Sequence, residues 1–484
     1  MNDEDSPLED SSLGGSPQPA GNATLLLLVG LLVTALFSGG TTANELANSY
    51  AIGVALSLAL SFAVDYRGNL RNLVRTDIMA LSSLYFLTLS EFLIPQPQVE
   101  AMVTARELEP ALTACLVGIA AVAVGRHFSP QPNRSLLRLT NLEPPRHILI
   151  VLITICFLLG FINMLMAVNF DVKLMIDYFM APRFAQPWGR GRFGDWRALF
   201  YELSMVLYLV PPIAGVILAG RRRYSGIQVG YVAFLFGFTL FYGFTSGTRN
   251  IFATYLATFL VAFAFAAGRE RRKEVMLVIS VASAAMIYAT TTMLEFRGIG
   301  FYAYTQGVQE FEGQENDRAF FVDNNLVVIA RLMEIFPRQH NYLGFEIPYL
   351  ALVRPIPRAL WSGKPEGMSL SIEDALGADE NYTLAASFIG ESYMSGGYLG
   401  IALFGLFFGV VMCWWNRLGR EDNSPFGYLL YASGFFAAVI SMRSLFVFTT
   451  AILPTVAAVV FGNWAIQAGL QRRREQRDEH DDEP

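Results

Sequence analysis

Arginine dominates the residues that could do chemistry, and it gathers at places far apart in the chain. Thr245-Ser246-Gly247-Thr248-Arg249-Asn250 closes one apolar block and opens the next. Arg249 is thereby expected at a helix N-terminus, where free backbone N–H groups and the helix dipole favour an anion. A second group follows Pro182-Arg183-Phe184 and reads Trp188-Gly189-Arg190-Gly191-Arg192-Phe193-Gly194-Asp195-Trp196-Arg197. It sets four arginines in 15 positions among glycines that let a backbone approach a ligand, so it could close over one like a lid, with Trp188 and Trp196 as the plainer interfacial anchors. The third is Arg354-Pro355-Ile356-Pro357-Arg358-Ala359-Leu360-Trp361-Ser362-Gly363-Lys364-Pro365. Its prolines hold the chain extended, Pro357 can open a short helix, and Arg358 and Trp361 then share a face beside Lys364. Two cations next to an aromatic plate suit a phosphate joined to a sugar. Arg297, Arg318 and Arg443 complete the set. Guanidinium forks grip phosphate oxygens in pairs and stay charged, so the set predicts an anion site. Taken singly, each arginine reads as the partner of a nearby acid such as Asp171, Asp177, Asp317 or Glu334. Transfer to a hydroxyl at such a site needs a general base, for which Glu295, Glu391 and Asp317 are candidates.

The elements that must position these residues are apolar. The chain has 484 residues, 53% hydrophobic and 16% charged, where a soluble domain has roughly a quarter charged. Blocks of about 20 apolar residues, the length that spans a bilayer core, recur at 22–40, 48–64, 77–94, 108–125, 147–168, 198–219, 226–245, 250–267, 275–293, 396–415, 425–442 and 445–466. The predicted fold is an all-α polytopic membrane protein of about twelve transmembrane helices. Residues 1–21 read as a disordered acidic cytoplasmic tail, 22–294 as nine helices with a basic outer loop at 169–197, and 295–395 as a large extracytoplasmic loop containing short helices. Residues 396–466 read as the last three helices and 467–484 as a second cytoplasmic tail. In the large loop, Val322, Leu326, Ile329, Met333 and Phe336 mark one apolar helical face ended by Pro337, and Gly396, Gly397, Gly400, Gly405 and Gly409 permit tight packing of the tenth helix.

Short loops rich in Lys and Arg stay in the cytoplasm. Placing both ends there turns 20 of the 35 basic residues inward, in loops that include Arg75, Arg126, Arg146, Arg221 to Arg223, Arg271 and Arg417. The other fifteen face outward against the usual bias, and thirteen of them are Arg, which is why the anion site is expected outside. No phosphate loop and no cluster of metal-binding acids stands in an inward loop, and of four histidines only His340 lies outside. Chemistry is therefore expected outside on an already activated donor, with arginines supplying the neutralisation a metal often supplies and no cofactor. Cys115, Cys156 and Cys413 fall inside helices and imply no disulfide framework. The stretch before Asn22 has no Lys or Arg, so the first helix is expected to be permanent.

The pattern resembles the oligosaccharide repeat-unit polymerases, the O-antigen polymerase (Wzy) family of bacterial inner membranes. The resemblance rests on Gly-Thr-Arg-Asn at 247–250, the large outer loop, Ile-Pro-Arg-x-Leu-Trp-x-x-Lys-Pro at 356–365, and Gly-Glu-x-Tyr-x-x-Gly-Gly at 390–397. It implies a GT-C-like fold and a metal-independent inverting transferase that moves a glycan from undecaprenyl diphosphate onto a new lipid-linked repeat unit. The expected partners are that lipid-linked oligosaccharide, membrane lipids and a protein that regulates chain length, with no nucleic acid. Arg249, Arg297, Arg354, Arg358 and Lys364 are then the first candidates for phosphate and Trp361 for sugar, with Arg190, Arg192, Arg318 and Arg443 in support. Two other classes use similar features. A ligase-like transferase would depend on His340, and a flippase or transporter would need charges deep inside its helices.

Overall fold

The computed structural model describes residues 18–481 apart from 183–184, 189–199, 201–202, 309–323, 357–359, 362, 366–367, 378–383 and 421–422. Among the described residues every regular element is helical. The main helices are α1 (Gly21–Phe37), α2 (Ala43–Tyr66), α3 (Thr76–Thr88), α4 (Ala105–Gly125), α5 (Arg146–Ala167), α6 (Val210–Ala219), α7 (Gly226–Thr245), α8 (Arg249–Ala267), α9 (Arg272–Phe296), α10 (Asn325–Ile335), α11 (Glu346–Val353), α12 (Ser387–Asn416), α13 (Pro425–Ile440), α14 (Leu445–Ala451) and α15 (Leu453–Asp481). Among the described residues, eight runs are long and apolar enough to cross a membrane: α2, α4, α5, α7, α8, α9, α12 and the joined run Leu445–Ala468. Shorter apolar helices occupy Gly21–Phe37, Ser204–Ala219 and Pro425–Ile440. The fold is that of a helical, multi-pass membrane protein.

Local sequence sets several helix starts. Thr104 and Glu107 form a capping box at α4, the Thr104 N–H donating to Glu107 at 2.7 Å, and Ser225 with Gln228 does the same for α7. The ends of the helices sort into two sets. At one end, arginine-rich loops are tied together: Arg146 donates to the Arg223 carbonyl (3.2 Å), Arg271 to the Ala219 carbonyl and Arg417 to the Ser129 carbonyl (2.9 Å). Ser424, at the start of α13, donates there to the Thr140 and Leu142 carbonyls. At the other end, Glu100 accepts from the Ala43 and Asn44 N–H groups, Tyr302 N–H reaches the Met180 carbonyl, and Gly247 lies against Arg297.

Two expectations change in this frame. Arg75 and Arg126, counted above among the charges of inward loops, are fully buried with Asp65 and Asp77. Arg75 grips Asp77 with two nitrogens (3.0 and 2.9 Å) and reaches both Asp65 oxygens, while Arg126 touches each acid at 3.0 and 3.1 Å. Thr24, Asn416 and the Ala20 N–H complete the network, so α1, α2, α3, α4 and α12 meet at one set of matched charges. Both arginines sit beside acids at helix ends, which a charge count cannot distinguish from a solvated loop.

The second change concerns α12. Gly405 and Gly409 do bring helices together: a Cβ on Gly409 would stand 2.4 Å from the Val122 carbonyl oxygen, and one on Gly125 2.3 Å from that of Leu406. Gly396 and Gly397 do something else. They leave helical geometry, Gly397 at φ 65°, and break α12 into a short first piece ending near Ser395 and a long piece ending at Asn416. Only a residue without a Cβ takes Gly397's backbone angles while lying against the Tyr342 hydroxyl. The helix expected around Leu326 and Ile329 exists as α10, with both residues fully buried against α4. Val322, the first residue of that expected stripe, lies outside the described residues.

Candidate functional site

A cavity of about 430 Å³ opens between helices that are distant in sequence. Arg354, at the C-terminal end of α11, and Arg443, in the turn between α13 and α14, both line it. Asn250, Ile251, Thr254 and Thr258 come from α8, Ser433, Phe436 and Ile440 from α13, and Val447, Thr450 and Ala451 from α14. Met205 and Tyr208, from a turn before α6, and Pro454 close the wall. The volume lies in the range of small-molecule sites.

The wall has two chemical characters. The guanidinium groups of Arg354 and Arg443 are strong, permanently charged donors. The hydroxyls are different, because they donate to their own helices. Thr254 donates to the Asn250 carbonyl, Thr258 to that of Thr254 at 2.8 Å, Ser433 to that of Leu430 at 2.8 Å and Thr450 to that of Phe446 at 3.4 Å. Their protons are engaged and only lone pairs remain for a ligand. With Ile251, Phe436, Ile440 and Val447 beside them, this surface suits hydrocarbon with occasional acceptors. One cavity thus joins a cationic patch to a mainly apolar wall, which complements an amphiphile with an anionic head.

Glu391 stands behind the arginines. It is 5% exposed, accepts the Leu445 N–H at 2.6 Å, and interacts also with Ser444 and Phe446, while the Arg354 charge acts on it. This carboxylate ties α12 to the 443–446 turn that carries Arg443. Lys364 proves to be a strut as well: its ammonium donates to the Arg354 carbonyl (2.7 Å) and the Ile356 carbonyl (2.9 Å), using two of its three protons to close the loop beyond α11.

The remaining predicted residues fall into three groups. Arg249 is the first residue of α8, as expected, and its neighbour Asn250 lines the cavity; Arg297 sits beside Gly247, whose φ of 63° and close contact require a glycine. Glu295 and Trp361 lie off the cavity. Glu295 is exposed and accepts from the Tyr304 hydroxyl at 2.8 Å, and Trp361 is partly buried with its carbonyl receiving the Lys364 N–H. Asp317, Arg318, Arg190, Arg192 and Arg358 lie outside the described residues. Trp188, read above as an interfacial anchor, is buried with its ring 5.5 Å from Phe179 and 6.1 Å from Tyr178, because the aromatic helix before it supplies a better apolar seat than the interface. Arg331 pairs with Glu334 at 2.8 Å and Glu107 at 3.7 Å, the partnership with acids expected of an arginine taken singly.

Sequence reasoning missed the polar stripe of α8. Asn250, Thr254 and Thr258 recur at steps of four in an otherwise apolar helix, a signal that was available. Tyr208, Ser433 and Thr450 had no such signature, since single hydroxyl residues are common in apolar helices. Compared with known proteins, the chain matches no family model, no curated protein and no solved structure.

Proposed function

We propose that the protein is a polysaccharide polymerase of the O-antigen polymerase (Wzy) type. It joins undecaprenyl-diphosphate-linked oligosaccharide repeat units at the outer face of a bacterial inner membrane, for surface polysaccharide. In this reading the twelve apolar blocks all cross the bilayer, the fold is GT-C-like, and both ends of the chain are cytoplasmic. One observation carries the proposal: Arg354 from the long polar stretch and Arg443 from the last outer turn share a cavity with Asn250, the neighbour of Arg249.

The chemistry follows from that arrangement. The acceptor sugar hydroxyl forms a bond to the anomeric carbon of the donor while the bond from that carbon to the diphosphate oxygen breaks. The hydroxyl proton passes to a base, and the electron pair leaves with the diphosphate. Guanidinium groups take up the charge that grows on the leaving diphosphate, and they act best in a site shielded from water. The apolar wall would receive the first part of the prenyl chain. His340, on which a ligase-like reading depends, is exposed and does not line this cavity.

Deletion of the gene with profiling of the surface glycan tests the reading. Loss of long chains with survival of single capped repeats supports it. Loss of all surface repeats contradicts it and points to transport or ligation.

A further inference from the structure

Helix α11 belongs to the stretch that reads as an external loop, yet it packs against a membrane-spanning run. The Thr449 hydroxyl donates to the Ala351 carbonyl. Thr449 lies on the span Leu445–Ala468, and Phe461 on the same run meets the ring of Phe426 in the first turn of α13, at the arginine-rich end. The twelve residues from Thr449 to Phe461 rise about 18 Å, so Ala351 sits about 18 Å above that end, which leaves about 12 Å of a hydrocarbon core about 30 Å thick above it. The next segment agrees. Ile389, in the first piece of α12, packs on Gly118, thirteen residues along α4 from its outer end.

At this depth the two faces of α11 differ. Ile347 and Leu350 are buried against the bundle. Phe345, Tyr349 and Leu352, spaced by four and three residues, form an apolar stripe 88%, 44% and 70% exposed. The span on which α11 leans also exposes apolar side chains, Val456 and Val460. An exposed apolar stripe on a helix that leans on such a span, below the headgroups, has acyl chains as its natural cover.

We propose that α11 is a re-entrant helix embedded in the outer leaflet, its Phe345–Tyr349–Leu352 stripe covered by lipid acyl chains. Arg354, which ends this helix, is then delivered to the cavity from within the membrane rather than from the water above it. The inference does not depend on the polymerase reading.

Leu352→Cys and Phe345→Cys test it in the full-length chain. Each is labelled with an environment-sensitive fluorophore and reconstituted in phosphatidylcholine vesicles that carry doxyl-labelled acyl chains. The native cysteines are buried and stay unlabelled under native conditions. Both probes are expected to emit as in an apolar medium, to be quenched by the doxyl lipids and to ignore aqueous iodide, as a probe at Val460→Cys does. Quenching by iodide at either position overturns the proposal. Protection from both quenchers also overturns it, since a second protein surface then covers the stripe. The substituted positions are exposed, so folding is preserved, and the Val460 probe reports independently that the protein is inserted.

Discussion

The two arginines of the cavity do different work from their neighbours, and substitutions separate the roles. Arg354→Ala and Arg443→Ala each remove a charged donor from the cavity wall. Each is expected to weaken binding of a lipid diphosphate by about 2 kcal/mol, roughly thirtyfold, with membrane level unchanged on immunoblotting. Lys364→Ala is expected to act on stability instead, because its ammonium holds two carbonyls of the loop. Glu391 divides two accounts. A catalytic base would be disabled equally by Glu391→Gln and Glu391→Ala. The geometry places its carboxylate on the Leu445 N–H, so Glu391→Gln is expected to keep an acceptor there and retain polymer, while Glu391→Ala loses both polymer and thermal stability. A glycan ladder from each strain decides it. At this scale the sequence was half legible. It named Arg354 among the first candidates and Arg443 only in support, and it ranked Lys364 with Arg354 and Glu295 as a base, because a cation or an acid near a motif looks the same whether it faces a ligand or a backbone carbonyl.

At the scale of elements, the bundle depends on a glycine seam and a matched-charge lock. Gly409→Leu would drive a side chain into the Val122 carbonyl and is expected to separate α4 from α12, costing about 1–3 kcal/mol or more; lowered thermal stability in detergent checks this. Asp77→Ala would leave Arg75 and Arg126 buried with one acid between them. Removing one partner of such a cluster costs about 3–5 kcal/mol, so the variant is expected to be recovered from membranes at much reduced level. Equal recovery would mean that water reaches the cluster. The glycine seam was legible because small residues at helical spacing have few other uses in an apolar helix. The lock was hidden because Asp65, Arg75, Asp77 and Arg126 are brought together only by the crossing of separate helices. The break at Gly396 and Gly397 was hidden for a related reason: paired glycines serve packing and bending equally well, and only the position of Tyr342 distinguishes the two.

For the whole molecule, apolar block lengths and loop charges gave the class directly, since a bilayer allows few solutions to a chain this apolar. They did not give depth. Hydropathy counts a polar stretch as external, whereas α10, α11 and the first piece of α12 each keep an apolar face that buries Leu326, Ile347 and Phe388 against the bundle. The account therefore joins two statements: arginines from separate loops share one cavity, and that cavity receives a prenyl diphosphate. Retention of undecaprenyl diphosphate by the purified protein, followed by native mass spectrometry, tests both together. The account predicts that the wild type holds the lipid and that the Arg354→Ala, Arg443→Ala double variant, folded to the same thermal stability, releases it. Equal retention by the two proteins would contradict it.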